Sequence, residues 1–167
     1  MARQRRQRAR RAPIGSVAAL LICATAAAAA IPKSGKFDGT TSQTYPDGSQ
    51  GAVAIKMTHH GQRIRSFDIT WLADCDGGFT ALSQGTHAEG SVSGRGKFRG
   101  QDTYFSDQGN LTGTQYTAMV TDRLRGRFTS RTRAKGTFEA TAVLSDAGGQ
   151  PVSSCSSPTL TWHAARR

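Results

Sequence analysis

Beyond its first thirty residues the chain lacks any apolar repeat at the 3.6-residue spacing of an amphipathic helix, which excludes a helical core. It contains no G-x-S-x-G, H-E-x-x-H, P-loop or dinucleotide fingerprint, so the hydrolase, metalloprotease and nucleotide-binding chemistries that use them have no motif to rest on. Cysteine is scarce, three in 167 residues, and a chain of this length buries a core of its own rather than depending on staples. Acids are also few: 11 against 22 Lys and Arg, a formal charge of +11.

That charge is unevenly placed. Residues 1–11, MARQRRQRARR, hold six arginines and no acid, and residues 12–30 are uncharged, with the apolar stretch SVAALLICATAAAAA ending in small side chains. This is the layout of a secretory signal peptide, and Ala28 and Ala30 satisfy the A-x-A rule for cleavage after Ala30. The expected organisation is a helical signal over residues 1–30 and a single secreted, extracellular domain over 31–167. The second reading is membrane anchoring by an uncleaved signal, because the uncharged stretch approaches the roughly 20 residues that span a bilayer. A lipoprotein signal at Leu20-Leu21-Ile22-Cys23 is disfavoured by bulky Ile22, and the twin arginines lack the hydrophobic pattern of a Tat signal. Without the leader, 16 cations face 11 acids, a net charge of +5. Such a balance supports solubility and attraction to anionic surfaces, not a particular ligand. With Cys23 in the leader, Cys75 and Cys155 remain as a pair. Oxidised, they close a loop of about 80 residues, worth at most about 4 to 5 kcal/mol in the chain-entropy model.

After residue 31 the pattern has period two. In RIRSFDITWLADC, residues 63–75, Phe67, Ile69, Trp71, Ala73 and Cys75 fall on one parity and Ser66, Asp68, Thr70 and Asp74 on the other, which predicts a strand with one buried face. Residues 36–44 predict a strand with Phe37 inward, and Val53, Ile55 and Met57 mark another. Turns are expected at Tyr45-Pro46-Asp47-Gly48, His59-His60-Gly61-Gln62 and Asp76-Gly77-Gly78. A weak strand over 79–83 is followed by an expected loop over 84–90, and then by a strand over 92–100 that residues 102–106 continue or pair with. A long strand over 116–128, broken near Asp122, precedes one carrying Ala134, Phe138, Ala140, Ala142 and Leu144. Residues 145–158 read as loop, and Leu160 and Trp162 as a final strand. Glycines two residues before Phe37, Phe98, Phe128 and Phe138 suit strands that bend beneath a ring. The expectation is an all-β antiparallel meander of eight or nine strands, closed as a barrel or folded as a sandwich, with Trp71 and Trp162 buried.

Candidate chemistry is sparse. Cys75, His87, Cys155 and His163 could make a Cys₂His₂ zinc site, but none are at close ligand spacing and an exported setting favours the disulfide. His87-Ala88-Glu89 matches half of a deaminase signature whose P-C-x-x-C is missing. No catalytic residue, metal site or cofactor is expected, and the chain is read as a non-enzyme. One feature stands out: Arg95, Lys97, Arg99, then Arg123, Arg125, Arg127, then Arg131, Arg133, Lys135 form three cationic i, i+2, i+4 triplets. Apolar or glycine residues hold the opposite parity, so these side chains should project outward as a basic surface. The bland alternative is a solvated strand face whose cations block edge aggregation and whose arginine stems cover apolar surface.

Several residues carry a resemblance. Gly-x-Phe-x-Gly over residues 35–39, followed by Thr41-Ser42-Gln43, one mid-chain cysteine, and Cys155, Trp162 and Ala164 in the pattern C-x₆-W-x-A resemble a group of exported β-rich proteins of actinobacterial type. The resemblance implies secretion, the Cys75 to Cys155 bridge and a compact β fold; it carries no activity and no binding residues. Gly109-Asn110-Leu111-Thr112-Gly113-Thr114 is similar to avidin-type hairpins, but that family's aromatic ligand cage has no counterpart in two tryptophans. The expected function is an exported binding module whose basic face holds an anionic cell-envelope polymer or lipid, with no nucleic acid partner. The alternative is a barrel that carries a small apolar ligand inside it.

Overall fold

The computed structural model describes residues 31–58, 60–109 and 115–167. The leader and residues 110–114 of the avidin-like segment lie outside the described residues. Nine strands follow one another without a helix among the described residues: β1 (Gly35–Thr44), β2 (Gln50–Met57), β3 (Arg63–Cys75), β4 (Phe79–Ser91), β5 (Lys97–Gly109), β6 (Gln115–Ser130), β7 (Arg133–Ser145), β8 (Pro151–Ser156) and β9 (Leu160–Arg166). Every pairing is antiparallel.

The fold is a barrel, not a sandwich. The sheet runs in the order β4-β3-β2-β1-β9-β7-β6-β5, and β8 pairs with both β3 and β7. The strands β1, β2, β3, β8, β7 and β9 therefore form a closed ring of six, from which β4 continues off β3, and β6 and β5 continue off β7. β8 occupies stretches of β3 and β7 that β2 and β9 do not reach: it meets β3 at Asp74 and Cys75, and β7 from Thr141 to Ser145. Cys75 and Cys155 face each other in that register and are disulfide-bonded. Between β2 and β8 the edge of β3 is completed by a side chain. The Gln43 amide accepts from the Leu72 N–H at 2.7 Å and donates to the Leu72 carbonyl at 3.0 Å, as a neighbouring backbone would.

The inward parity of each strand fills the barrel. Trp71, Phe37, Phe67 and Phe138 are at most 1% exposed, and Trp162 is also buried. Phe67 and Trp162 meet edge to face at 5.1 Å, and Phe98 lies 5.9 Å from Trp162. The glycines expected to bend strands serve this packing at two positions. Phe98, Gly126, Gly136 and Trp162 form one cross-strand row, and a Cβ on Gly126 would lie 2.2 Å from the Phe98 ring. On Gly136 it would lie 1.9 Å from the Arg125 carbonyl oxygen and 2.6 Å from the Trp162 indole. The two bare backbones are the floor on which the rings of the outer two residues lie.

Four expectations are corrected. Residues 84–90, read as loop, belong to β4 and pair with β3 as far as Arg63↔Ser91. The inward positions there, Ser83, Gly85 and His87, are small or polar, so no apolar alternation announced the strand. The expected strand over 92–100 is instead a turn as far as Gly96, whose N–H reaches the Ser93 carbonyl at 2.8 Å with φ at 70°, and β5 begins only at Lys97. The loop read over 145–158 contains β8, in which Cys155 is the sole buried residue. β6 is not broken near Asp122: its pairing with β5 and β7 runs through that residue.

Candidate functional site

Of the nine cations singled out, all are exposed. Arg95 and Arg131 lie in turns rather than on strands, in the Ser93 to Gly96 turn and between β6 and β7. Arg133 stands opposite Ser130 and Ala165, and the other six are brought together by register. Lys97, Arg127 and Lys135 are directly opposite one another across β5, β6 and β7, and His163 of β9 extends the row. The next row is Arg99, Arg125 and Thr137, and the third Gln101, Arg123 and Glu139. Arg123 bonds Glu139 at 3.2 Å; among the described residues no carboxylate pairs with Lys97, Arg99, Arg125, Arg127, Arg133 or Lys135. An open hollow of about 930 Å³ runs over this region, with Ser93, Lys97, Arg99, Arg123 and Arg125 in its lining.

The same outer face changes character along the strands. A fourth row is Thr103, Thr121 and Thr141, the first two hydroxyls 3.1 Å apart. The fifth is Phe105, Met119 and Val143, with Phe105 74% and Met119 43% exposed. Eight residues at about 3.4 Å each separate the first row from the fifth, roughly 27 Å. The apolar row was not singled out from sequence, because Phe105 and Met119 lie on strands whose pairing is long-range.

A second constellation sits at the barrel's seam. β4 and β5 are the two ends of the sheet order, and no ladder joins them among the described residues. The turn between them is tied outward on both sides, the Val92 N–H to the Gln62 carbonyl and the Gly96 carbonyl to the Phe128 N–H. Side chains cross the gap in place of backbone bonds. His87 of β4 reaches over Gly100 of β5, where a Cβ would be 3.0 Å from Nδ1. Tyr104 of β5 reaches over Gly85 of β4, where a Cβ would be 3.1 Å from the phenol oxygen and 3.3 Å from Asp122 Oδ2. His87 Nε2 lies 2.9 Å from Asp122 Oδ1, with side chains 9% and 0% exposed. The two atoms are close without meeting hydrogen-bond geometry.

Of the eight buried side-chain nitrogen and oxygen atoms without a hydrogen-bond partner among the described residues, five belong here: Ser83 Oγ, His87 Nε2, Tyr104 Oη and both Asp122 oxygens. Burial, then the negative charges of Asp122 and Asp102, push the Tyr104 phenol up to about 12, so it stays a neutral donor at ordinary pH. A cavity of about 340 Å³ opens beside His87, walled by Ile64, Phe67, Phe98 and Leu124 with Gly90 and Gly100 at its sides. His87 was considered in sequence only for zinc and deaminase patterns. His163 is exposed on β9 while His87 is buried at the seam and Cys75 is bonded to Cys155, so the residues of that hypothetical zinc set are not free to act together. Among the described residues no group of three or more potential metal ligands occurs. The sequence signal for the seam was Asp122 itself, an acid on the apolar parity of β6.

No family model matches the chain, and no curated protein is similar enough to match it.

Proposed function

We propose that the protein is an exported binding module that docks on an anionic, phosphate-bearing lipid surface of the cell envelope through the outer face of β5, β6 and β7. The observation that carries this reading is the ladder of unpaired cations in register: Lys97, Arg127 and Lys135, then Arg99 and Arg125. Like charges directly opposite on neighbouring strands repel, at a cost an opposing layer of anions removes. The exposed Phe105 and Met119 on the same face favour lipid over a soluble polymer, since an aromatic and a thioether side chain enter the acyl boundary while cations meet the headgroups. Secretion of residues 31–167 belongs to this reading, and the disulfide is compatible with it. The alternative, an apolar ligand carried in the barrel's interior, is less favoured because aromatic rings at contact distance occupy that interior.

The test is sedimentation with vesicles containing anionic phospholipid, across a salt series. The comparison is a variant in which Lys97, Arg99, Arg125, Arg127 and Lys135 become Gln, leaving the Arg123 to Glu139 pair intact. Wild-type binding should fall as the screening length shrinks from about 10 Å at 0.1 M salt to 3 Å at 1 M, and the variant should bind weakly throughout. Phe105→Ser with Met119→Ser should weaken vesicle binding and leave retention on a soluble phosphate polymer unchanged. Preference for the polymer over vesicles would replace lipid as the partner, and equal, salt-insensitive behaviour of all proteins would end the reading.

A further inference from the structure

We infer that His163 regulates the lipid docking proposed above, on which this step rests: once charged, it adds a fourth cation to the first row of the outer face, so the protein binds more tightly as pH falls below neutral. Register carries it. Lys97, Arg127, Lys135 and His163 stand directly opposite one another on four adjacent strands, β5, β6, β7 and β9, in a row roughly 14 Å long at about 4.8 Å per strand. His163 is exposed between buried Trp162 and Ala164, so its imidazole stands on the same outer side as the Lys135 ammonium. Whatever surface Lys135 meets, its cross-strand neighbour meets as well.

The groups around the ring leave its charge without an internal partner. Lys135 faces it from β7, with Arg133 and Thr137 two residues to either side, and Thr40 faces it from β1, flanked by Asp38 and Ser42. The Asp38 carboxylate is held by Arg167, and the Ser42 hydroxyl accepts from the Thr161 N–H at 3.1 Å. Among the described residues no carboxylate pairs with His163. An imidazolium here repels Lys135 and Arg133 in the free protein, and a layer of phosphates offsets that repulsion. Histidine is the side chain that changes charge between pH 5 and 8, a window in which lysine and arginine stay cationic. Proton uptake and docking therefore strengthen each other, by the same factor in either direction. One added cation at an anionic membrane is worth about fivefold in affinity.

The test is sedimentation with vesicles of phosphatidylglycerol in phosphatidylcholine, in low salt, at about pH 7.5 and about pH 5.5. The phosphodiester keeps its charge across that window, so a change in binding comes from the protein. Wild type should bind about fivefold more tightly at the lower pH, and His163→Gln should change by less than about twofold. His163→Lys should bind at the higher pH as wild type does at the lower. In the wild-type protein the His163 ring resonances should titrate at a higher pH in phosphatidylglycerol micelles than in phosphatidylcholine micelles. Equal pH dependence in wild type and His163→Gln would assign the effect to another group and end the inference, as would a ring whose titration ignores micelle charge. Docking through the outer face survives either result. Failure of wild type to bind at both pH values ends the docking reading and this regulation with it. The micelle comparison needs no variant, so a misfolded substitution does not decide the outcome.

Discussion

At the scale of single residues, Tyr104 links the seam to a measurable property of the fold. Its phenol is held up to about 12, by burial first and by the charges of Asp122 and Asp102 after it. An unfolded tyrosine ionises near 10. Between those values the unfolded chain loses its proton while the folded chain keeps it, so folding stability is intact below about pH 10 and falls as pH rises towards 12. Urea midpoints measured over that window should fall more steeply for wild type than for Tyr104→Phe. The difference should stay below the roughly 2.7 kcal/mol that two units are worth, because part of the ring remains solvated and screened. Parallel curves for the two proteins would show that the seam does not hold the phenol's proton.

At the scale of elements, β8 is a short strand with one buried residue, and its place depends on that residue. Cys155 joins it to Cys75 at the end of β3 while its other edge pairs with β7, so the bridge closes the ring of six strands. Reduction, or Cys75→Ser with Cys155→Ser, should lower the unfolding free energy by up to about 4 to 5 kcal/mol and increase amide exchange first in β8 and the end of β3. Uniform exchange across the barrel would mean that β8 is held by its ladder alone. The same strand marks a limit on what sequence conveys. β3 was legible because five inward positions alternate over its length, and β6 and β7 were legible for the same reason. β8 and the second half of β4 were not: PVSSCS offers one inward apolar residue, and the inward positions of β4 are Ser83, Gly85 and His87. Period-two reading detects burial of apolar side chains, and it is silent where a strand buries polar groups. The seam was hidden for that reason. The cation triplets were legible as residues, yet their register across three strands, and the apolar row beyond them, depend on pairing distances no local pattern encodes.

At the scale of the whole molecule, charge sets stability against binding. Arg127 stands between Lys97 and Lys135 in one row, at the Cβ separations of about 4.5 to 5.5 Å typical of directly opposed positions. In the free protein these cations repel, so Arg127→Gln should raise the urea midpoint in low salt, by an amount equivalent to about 0.2 to 1 kcal/mol. The gain should shrink towards zero near 1 M salt, where screening extends over only about 3 Å. The same substitution should weaken vesicle binding in low salt, because it removes the centre of the row. Opposite signs for stability and binding from one side chain are what a face organised around an anionic partner requires. A solvated strand face predicts a different pair of results. There the arginine stem covers neighbouring apolar surface, its loss lowers the midpoint at every salt concentration, and vesicle binding does not change.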